Sequence, residues 1–184
     1  MARKGGELTP ETAIRTRRIR IVDRRAAWAL ARKIGMLGLA VYILFGMVFG
    51  LAPMKGGDMQ PRFAAGDLLL YYRLDRDIAR NDVVVLERDG SQYVGRVVGL
   101  PGESVDVTAD RTLRIDGADA IEPGIYYETQ AFQEAVQYPL QLGNAEYFVL
   151  GDMRETAKDS RYFGAAKASE IKGKVMSALR RTDL

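Results

Sequence analysis

The chain contains no cysteine and no histidine. Without cysteine there is no disulfide and no thiolate nucleophile. That absence assigns no compartment, since extracellular bacterial domains often lack cysteine too. Without histidine there is neither a Ser-His-Asp triad nor any of the common histidine metal sites. A hydrolase built on this sequence has to use a lysine, a carboxylate or a metal, and no acidic spacing supports a metal site. The sequence therefore calls for no metal and no cofactor. Internal repeats and low-complexity segments are also missing, and only one long uncharged run is present.

With 184 residues there is room for one domain and an anchor, not for two large domains. The net charge of +3 is unevenly spread: residues 1–33 hold ten Lys/Arg against three Asp/Glu, while residues 55–184 carry an acidic excess. Between them, residues 34–54 (IGMLGLAVYILFGMVFGLAPM) have no charge. At 1.5 Å per residue, about 20 such residues cross a hydrocarbon core of about 30 Å. One transmembrane helix is therefore expected over 34–54. A buried globular helix and a cleaved signal peptide are the alternatives. The apolar run is longer than a signal peptide needs, and Ala52 before Pro53 is a poor cleavage context. The positive-inside rule makes 1–33 a basic cytoplasmic arm and 55–184 an extracytoplasmic domain. The run RTRRIRIVDRR at 15–25 touches the span, so it reads as a topology signal on an anionic leaflet, and no nucleic-acid partner is expected. Gly46 and Gly50 have the GxxxG spacing of helix pairs, a common and unspecific signal.

Beyond the span the pattern is that of short strands: 67–72, 83–86, 93–98, 105–107, 113–115 and 147–150 are β-rich. Turn chemistry separates them at Asn81-Asp82, Asp89-Gly90, Pro101-Gly102 and Asp116-Gly117. Residues 124–143 look like an irregular connection, and 167–179 a helical turn followed by a last strand. Many short strands with regular turns predict a mainly β domain, a sandwich or partly open barrel.

Three segments carry a resemblance: GDMQPRFAAGDLLLYY at 57–72, YVGRVVGLPGE at 93–103 and GDMRETAKDSRYFG at 151–164. Their order and spacing resemble type I signal peptidases, most closely the single-span members of Gram-positive bacteria. The resemblance implies a signal-peptidase-like β-sandwich or partly open barrel after one N-terminal transmembrane helix. It also implies a site. In active members a serine in the first segment attacks the scissile carbonyl, a neutral, desolvated lysine in the second takes its proton, and a serine in the third orients the lysine. Here the matching positions are Asp58, Gly95 and Ala157, and the asparagine after GD is Met153. The positions that match the supporting frame are kept: Met59, Pro61, Arg96, Asp152, Arg154, Asp159, Ser160 and Arg161.

The resemblance thus implies a peptide cleft without its chemistry. Asp58 is a poor nucleophile toward amides. It could act only by sharing a proton with Asp159 or Asp152. A relocated pair would have to use Lys158 and Ser160. Losing the lysine at position 95 is expected to leave space, and Asp58 to be solvated or paired with Arg62 or Arg154. Degenerate family members with Asp and Gly at these two places resemble accessory proteins for sortase-dependent pilus assembly. The implied partners are the membrane and a pilin subunit or pilus sortase, for which the chain would be a non-catalytic chaperone or scaffold. The alternatives are an active signal peptidase processing exported preproteins, and an inactive regulator paired through Gly46 and Gly50 with a catalytic paralogue.

Overall fold

The computed structural model describes residues 10–132 and 135–180, with side-chain surroundings from residue 24 on. Residues 1–9 of the basic arm, and the side chains of 10–23, lie outside the described residues. The chain divides into two units, Met1–Leu44 and Phe45–Leu184. In the first, α1 (Pro10–Ile43) begins well before the apolar run, so the described part of the basic arm is helical. The stretch Arg24–Val48 is 25 residues long and apolar enough to cross a membrane. Its large side chains, Trp28, Leu37 and Tyr42 among them, are exposed.

The helix ends sooner than the apolar run does. A π-helical turn at Leu44–Val48 leads into strand β1 (Phe49–Pro53), so residues 49–54 do not extend the helix. Hydropathy does not separate the two, because a strand buried on one face and the end of a membrane helix are equally apolar. Tertiary packing decides: β1 pairs with β2 (Leu68–Tyr72), and Ala52 and Met54 are buried beside Met59 and Leu69. Gly50 lies in β1, where a β-carbon would come within 2.1 Å of the Tyr71 ring. Gly46 and Gly50 therefore do not share one helix face, and their spacing forms no helix-pairing motif here.

The second unit is mainly β, with two antiparallel sheets. The remaining strands are β3 (Val83–Arg88), β4 (Ser91–Gly99), β5 (Ser104–Val107), β6 (Leu113–Ile115), β7 (Ala118–Asp119), β8 (Leu140–Gln141), β9 (Glu146–Leu150), β10 (Ala166–Lys167) and β11 (Ile171–Leu179). Their order is β1-β2-β11-β3-β4-β9-β10 in one sheet and β7-β6-β5-β8 in the other. Two of the expected turns are tight hairpins. Asp89-Gly90 joins β3 to β4 with φ of 51° and 72°, and Asp116-Gly117 joins β6 to β7 with φ of 49° and 81°. Positive φ at both central residues matches the right-handed twist of the flanking strands.

The run Val83-Val84-Val85-Leu86 is buried throughout because β3 is covered on both faces. Val83 and Val85 pack with Met59, Leu69 and Tyr71, whereas Val84 and Leu86 pack with Val97, Val149 and Ile171. The smaller sheet packs Val105, Val107, Leu113 and Ile115 against Val98, Phe148 and Leu150. Among the described residues of 124–139 none lies in a strand, and the short β8 falls within the 124–143 stretch expected to be irregular.

β11 lies between β2 and β3 in the sheet, and a β-carbon on its Gly173 would stand 2.2 Å from the Tyr72 carbonyl oxygen. Backbone cannot give way cheaply there. Gly173→Ala is expected to cost about 1–3 kcal/mol, lowering the melting temperature by about 2–10 °C. Thermal unfolding of the full chain in detergent checks this, with Lys172→Ala as the control. An unchanged melting temperature would contradict the close approach.

Candidate functional site

The three positions at which the resemblance implies replacement, Asp58, Gly95 and Ala157, gather around the end of β9. Asp58 sits in the turn after β1, and its carbonyl accepts from Met153 N–H at 2.9 Å. A β-carbon on Gly151 would lie 2.8 Å from that carbonyl oxygen and 2.3 Å from Ala157 Cβ. Gly95 lies on β4, where a β-carbon would be 2.6 Å from Val149 Cγ1 and 3.1 Å from the Leu150 carbonyl oxygen. The expected empty space is therefore absent, because the Val149 side chain occupies the place where a side chain at 95 would begin. Ala157 is fully buried.

The frame is held by three buried arginines. Arg96 grips Asp152 with both nitrogens, Nε at 2.8 Å and Nη2 at 2.6 Å, and its Nη1 donates to the Asn81 carbonyl at 3.0 Å. Arg154 donates Nε to the Gly151 carbonyl at 2.8 Å and turns its other nitrogens to Glu122 and Thr129. Arg161 donates Nε and Nη2 to Asp159 at 2.9 and 2.8 Å, and Nη1 to the Gln130 carbonyl at 3.2 Å. Asp159 also accepts the backbone N–H of Gly151 and of Arg161, capping the short helix α2 (Ser160–Phe163). Two-pronged guanidinium–carboxylate contacts fix direction as well as distance. Together they tie the 151–161 loop to β4 and to the irregular 120–132 connection.

This arrangement answers the chemical alternatives one by one. Arg154 does not pair with Asp58, because Glu122 takes it. Among the described residues Arg62 forms no ion pair with Asp58 either, and Arg62 is exposed. The Asp58 carboxylate has no hydrogen-bond or ionic partner among the described residues. Burial first, and the charge of Asp159 second, raise its pKa above the ordinary value. Asp152 and Asp159 each have both oxygens committed to a guanidinium, which disfavours a proton shared with Asp58. Ser160 is fully buried and its hydroxyl accepts from Val149 N–H at 3.0 Å, so it presents no nucleophile to a peptide. Lys158 is exposed. Met59 is fully buried beneath the Asp58 turn, and Pro61 follows a cis peptide bond.

Beside Asp58 runs a narrow slot of about 40 Å³ lined by Pro53, Met54, Lys55, Gly56, Asp58, Gln92, Tyr93 and Val94. On that side β4 has a free edge among the described residues, because its pairing with β9 begins only at Arg96. Sequence reasoning missed the partners Glu122, Thr129 and Gln130, which lie in or near the stretch without periodicity. It also missed Val149, since nothing in a valine announces that it packs against Gly95.

The site is thus a buried arginine frame around the end of β9 with a narrow slot beside Asp58. Comparison with known proteins gives its family. The model for the family "Signal peptidase, peptidase S26" matches residues 27–179, so the chain belongs to that family. Signal peptidase I of Bacillus caldolyticus is 32% identical over 142 residues, covering 70% of this chain and 78% of that protein. Signal peptidase I of Bacillus licheniformis is 33% identical over 120 residues, 59% of this chain and 63% of that protein. Signal peptidase IB of Staphylococcus aureus is 32% identical over 140 residues, 66% and 73% respectively. A solved signal peptidase I from Enterococcus faecalis is 34% identical, covering 54% of this chain and 96% of that one, with a TM-score of 0.45.

Proposed function

We propose that this chain is a non-catalytic member of the signal peptidase I family that binds extended peptide segments of exported proteins without cutting them. One observation carries the reading: where the family's nucleophile, base and orienting hydroxyl belong stand Asp58, Gly95 and Ala157, and no described side chain takes over their work. Strand addition needs backbone hydrogen bonds and side-chain pockets, not a nucleophile, and the free edge of β4 offers the first. The finer role is that of a chaperone or scaffold for sortase-dependent pilus assembly, with a pilin subunit or the pilus sortase as partner. The paired Asp58 and Gly95 support it through their resemblance to such accessory proteins. The apolar stretch Arg24–Val48 would anchor the chain in the membrane. The basic residues before it favour a cytoplasmic N-terminus and an extracytoplasmic β domain.

A second reading, an active signal peptidase acting on preproteins, is favoured by the names of the relatives. The two are separated by incubating the full chain in detergent with a signal-peptide-bearing preprotein, beside Asp58→Ala and an active signal peptidase. No cleavage by either form is expected. Cleavage by the native chain that disappears in Asp58→Ala would replace the non-catalytic reading with an acid-based mechanism.

A further inference from the structure

Among the described residues the Asp58 carboxylate has neither a hydrogen bond nor an ion pair, unlike the carboxylates of the frame around it. Asp152, Asp159 and Glu122 are each held by a guanidinium, and Asp82, Glu103 and Glu170 each meet a lysine or arginine. Asp58 is half-buried in the slot wall and meets none among the described residues. Its carboxylate folds back toward Gly56, whose added β-carbon would lie 3.5 Å from Oδ2. It therefore faces the segment Met54–Gly56, which forms one side of the slot, while Gln92–Val94 forms the other.

We infer that the slot beside Asp58 is a subsite for a cationic side chain, and that it selects a lysine carried by an extended peptide lying along the free edge of β4. The inference rests on the peptide-binding reading above and names what that site recognises. Charge complementarity gives the sign of the occupant. A carboxylate that has lost water and sits near a second carboxylate gains most from an incoming cation. The slot gives its size. A narrow slot with a single carboxylate suits a compact ammonium on a flexible stem, whereas a planar guanidinium is matched by a wider, two-pronged receptor. Strand geometry gives the register: side chains of a strand point alternately to opposite faces, so one position of the bound peptide faces Asp58 and its neighbours do not. Lys55 at the rim is exposed and forms no ion pair among the described residues.

The test uses the full chain in lipid nanodiscs and fluorescent ten-residue alanine–valine–threonine peptides. Each peptide carries one lysine, norleucine, arginine or glutamate, scanned through the positions. Binding is read by fluorescence polarisation. Lysine is expected to bind about tenfold more tightly than norleucine at one position only, with arginine in between and glutamate weakest. Asp58→Asn, which keeps the side chain's shape, is expected to erase the lysine preference while leaving norleucine binding unchanged. Arg114→Ala, on the smaller sheet and outside the slot, is expected to keep the preference. Peptides that bind the native chain with no lysine preference would overturn this inference and leave the peptide-binding reading standing. So would a preference that persists in Asp58→Asn or is equal at every position. Absence of binding by every peptide would overturn both.

Discussion

Arg161→Ala is expected to destabilise the β domain by about 3–5 kcal/mol, the cost of breaking a buried ion pair on one side. The side chain is fully buried, and Asp159 beneath it is 4% exposed. Removing the guanidinium takes two of the four donors from Asp159 and leaves a carboxylate with no counter-charge in a dry place. It also frees the Gln130 carbonyl and removes the cation stacked 4.8 Å from the Phe132 ring centroid. Domains of this kind hold only about 5–15 kcal/mol in all, so the loss is a large share of the total. Arg114→Ala makes the contrast. Its pair with Asp119 is solvent-exposed, and such pairs contribute about 0–1 kcal/mol. Pulse proteolysis of the full chain in detergent across a urea gradient measures both. Equal midpoints for the two variants would show that the Asp159–Arg161 pair does not hold the loop.

The same pair shows what could be read in advance. The resemblance carried by GDMRETAKDSR implied that Asp159 and Arg161 are parts of a frame. The partners on the far side could not be read. Glu122 and Thr129 come from a stretch with neither period-two nor helical spacing, so no pattern placed them against Arg154. Strands were legible where turn chemistry bounded them: Asp89-Gly90 and Asp116-Gly117 demanded hairpins, and hairpins are present. The apolar run was legible as a run but not as two elements. Only the pairing of residues 49–53 with Leu68–Tyr72 converts its end into a strand. At the site, Asp58, Gly95 and Ala157 were visible as departures from the pattern the resemblance implies, whereas Val149 beside Gly95 became visible only in three dimensions.

Val149 sets the terms of the most demanding prediction, the return of cleavage. A nucleophile and its base act as a unit, and losing either costs about 10⁶-fold in a serine hydrolase. Asp58→Ser alone therefore supplies a hydroxyl with nothing to take its proton, and is expected to cleave preprotein no faster than the native chain. Gly95→Lys alone supplies a base with no nucleophile. The triple variant Asp58→Ser/Gly95→Lys/Ala157→Ser restores attack, proton transfer and orientation together. It is expected to cleave at least about 10³-fold faster than either single change, since the nucleophile is activated only by an adjacent base. The lysine must enter where Val149 Cγ1 now stands, 2.6 Å from its β-carbon. Val149 has to turn aside, at a cost of about 1–3 kcal/mol in stability. The triple variant should accordingly melt below Asp58→Ser/Ala157→Ser, which leaves position 95 alone. Product analysis by mass spectrometry with enzyme in excess reads the cleavage, and thermal unfolding of the same samples reads the cost. A folded triple variant that never cleaves would show that the peptide path past Gly95 has itself been lost. Cleavage by Asp58→Ser alone would show that a base other than a lysine at 95 still serves the site.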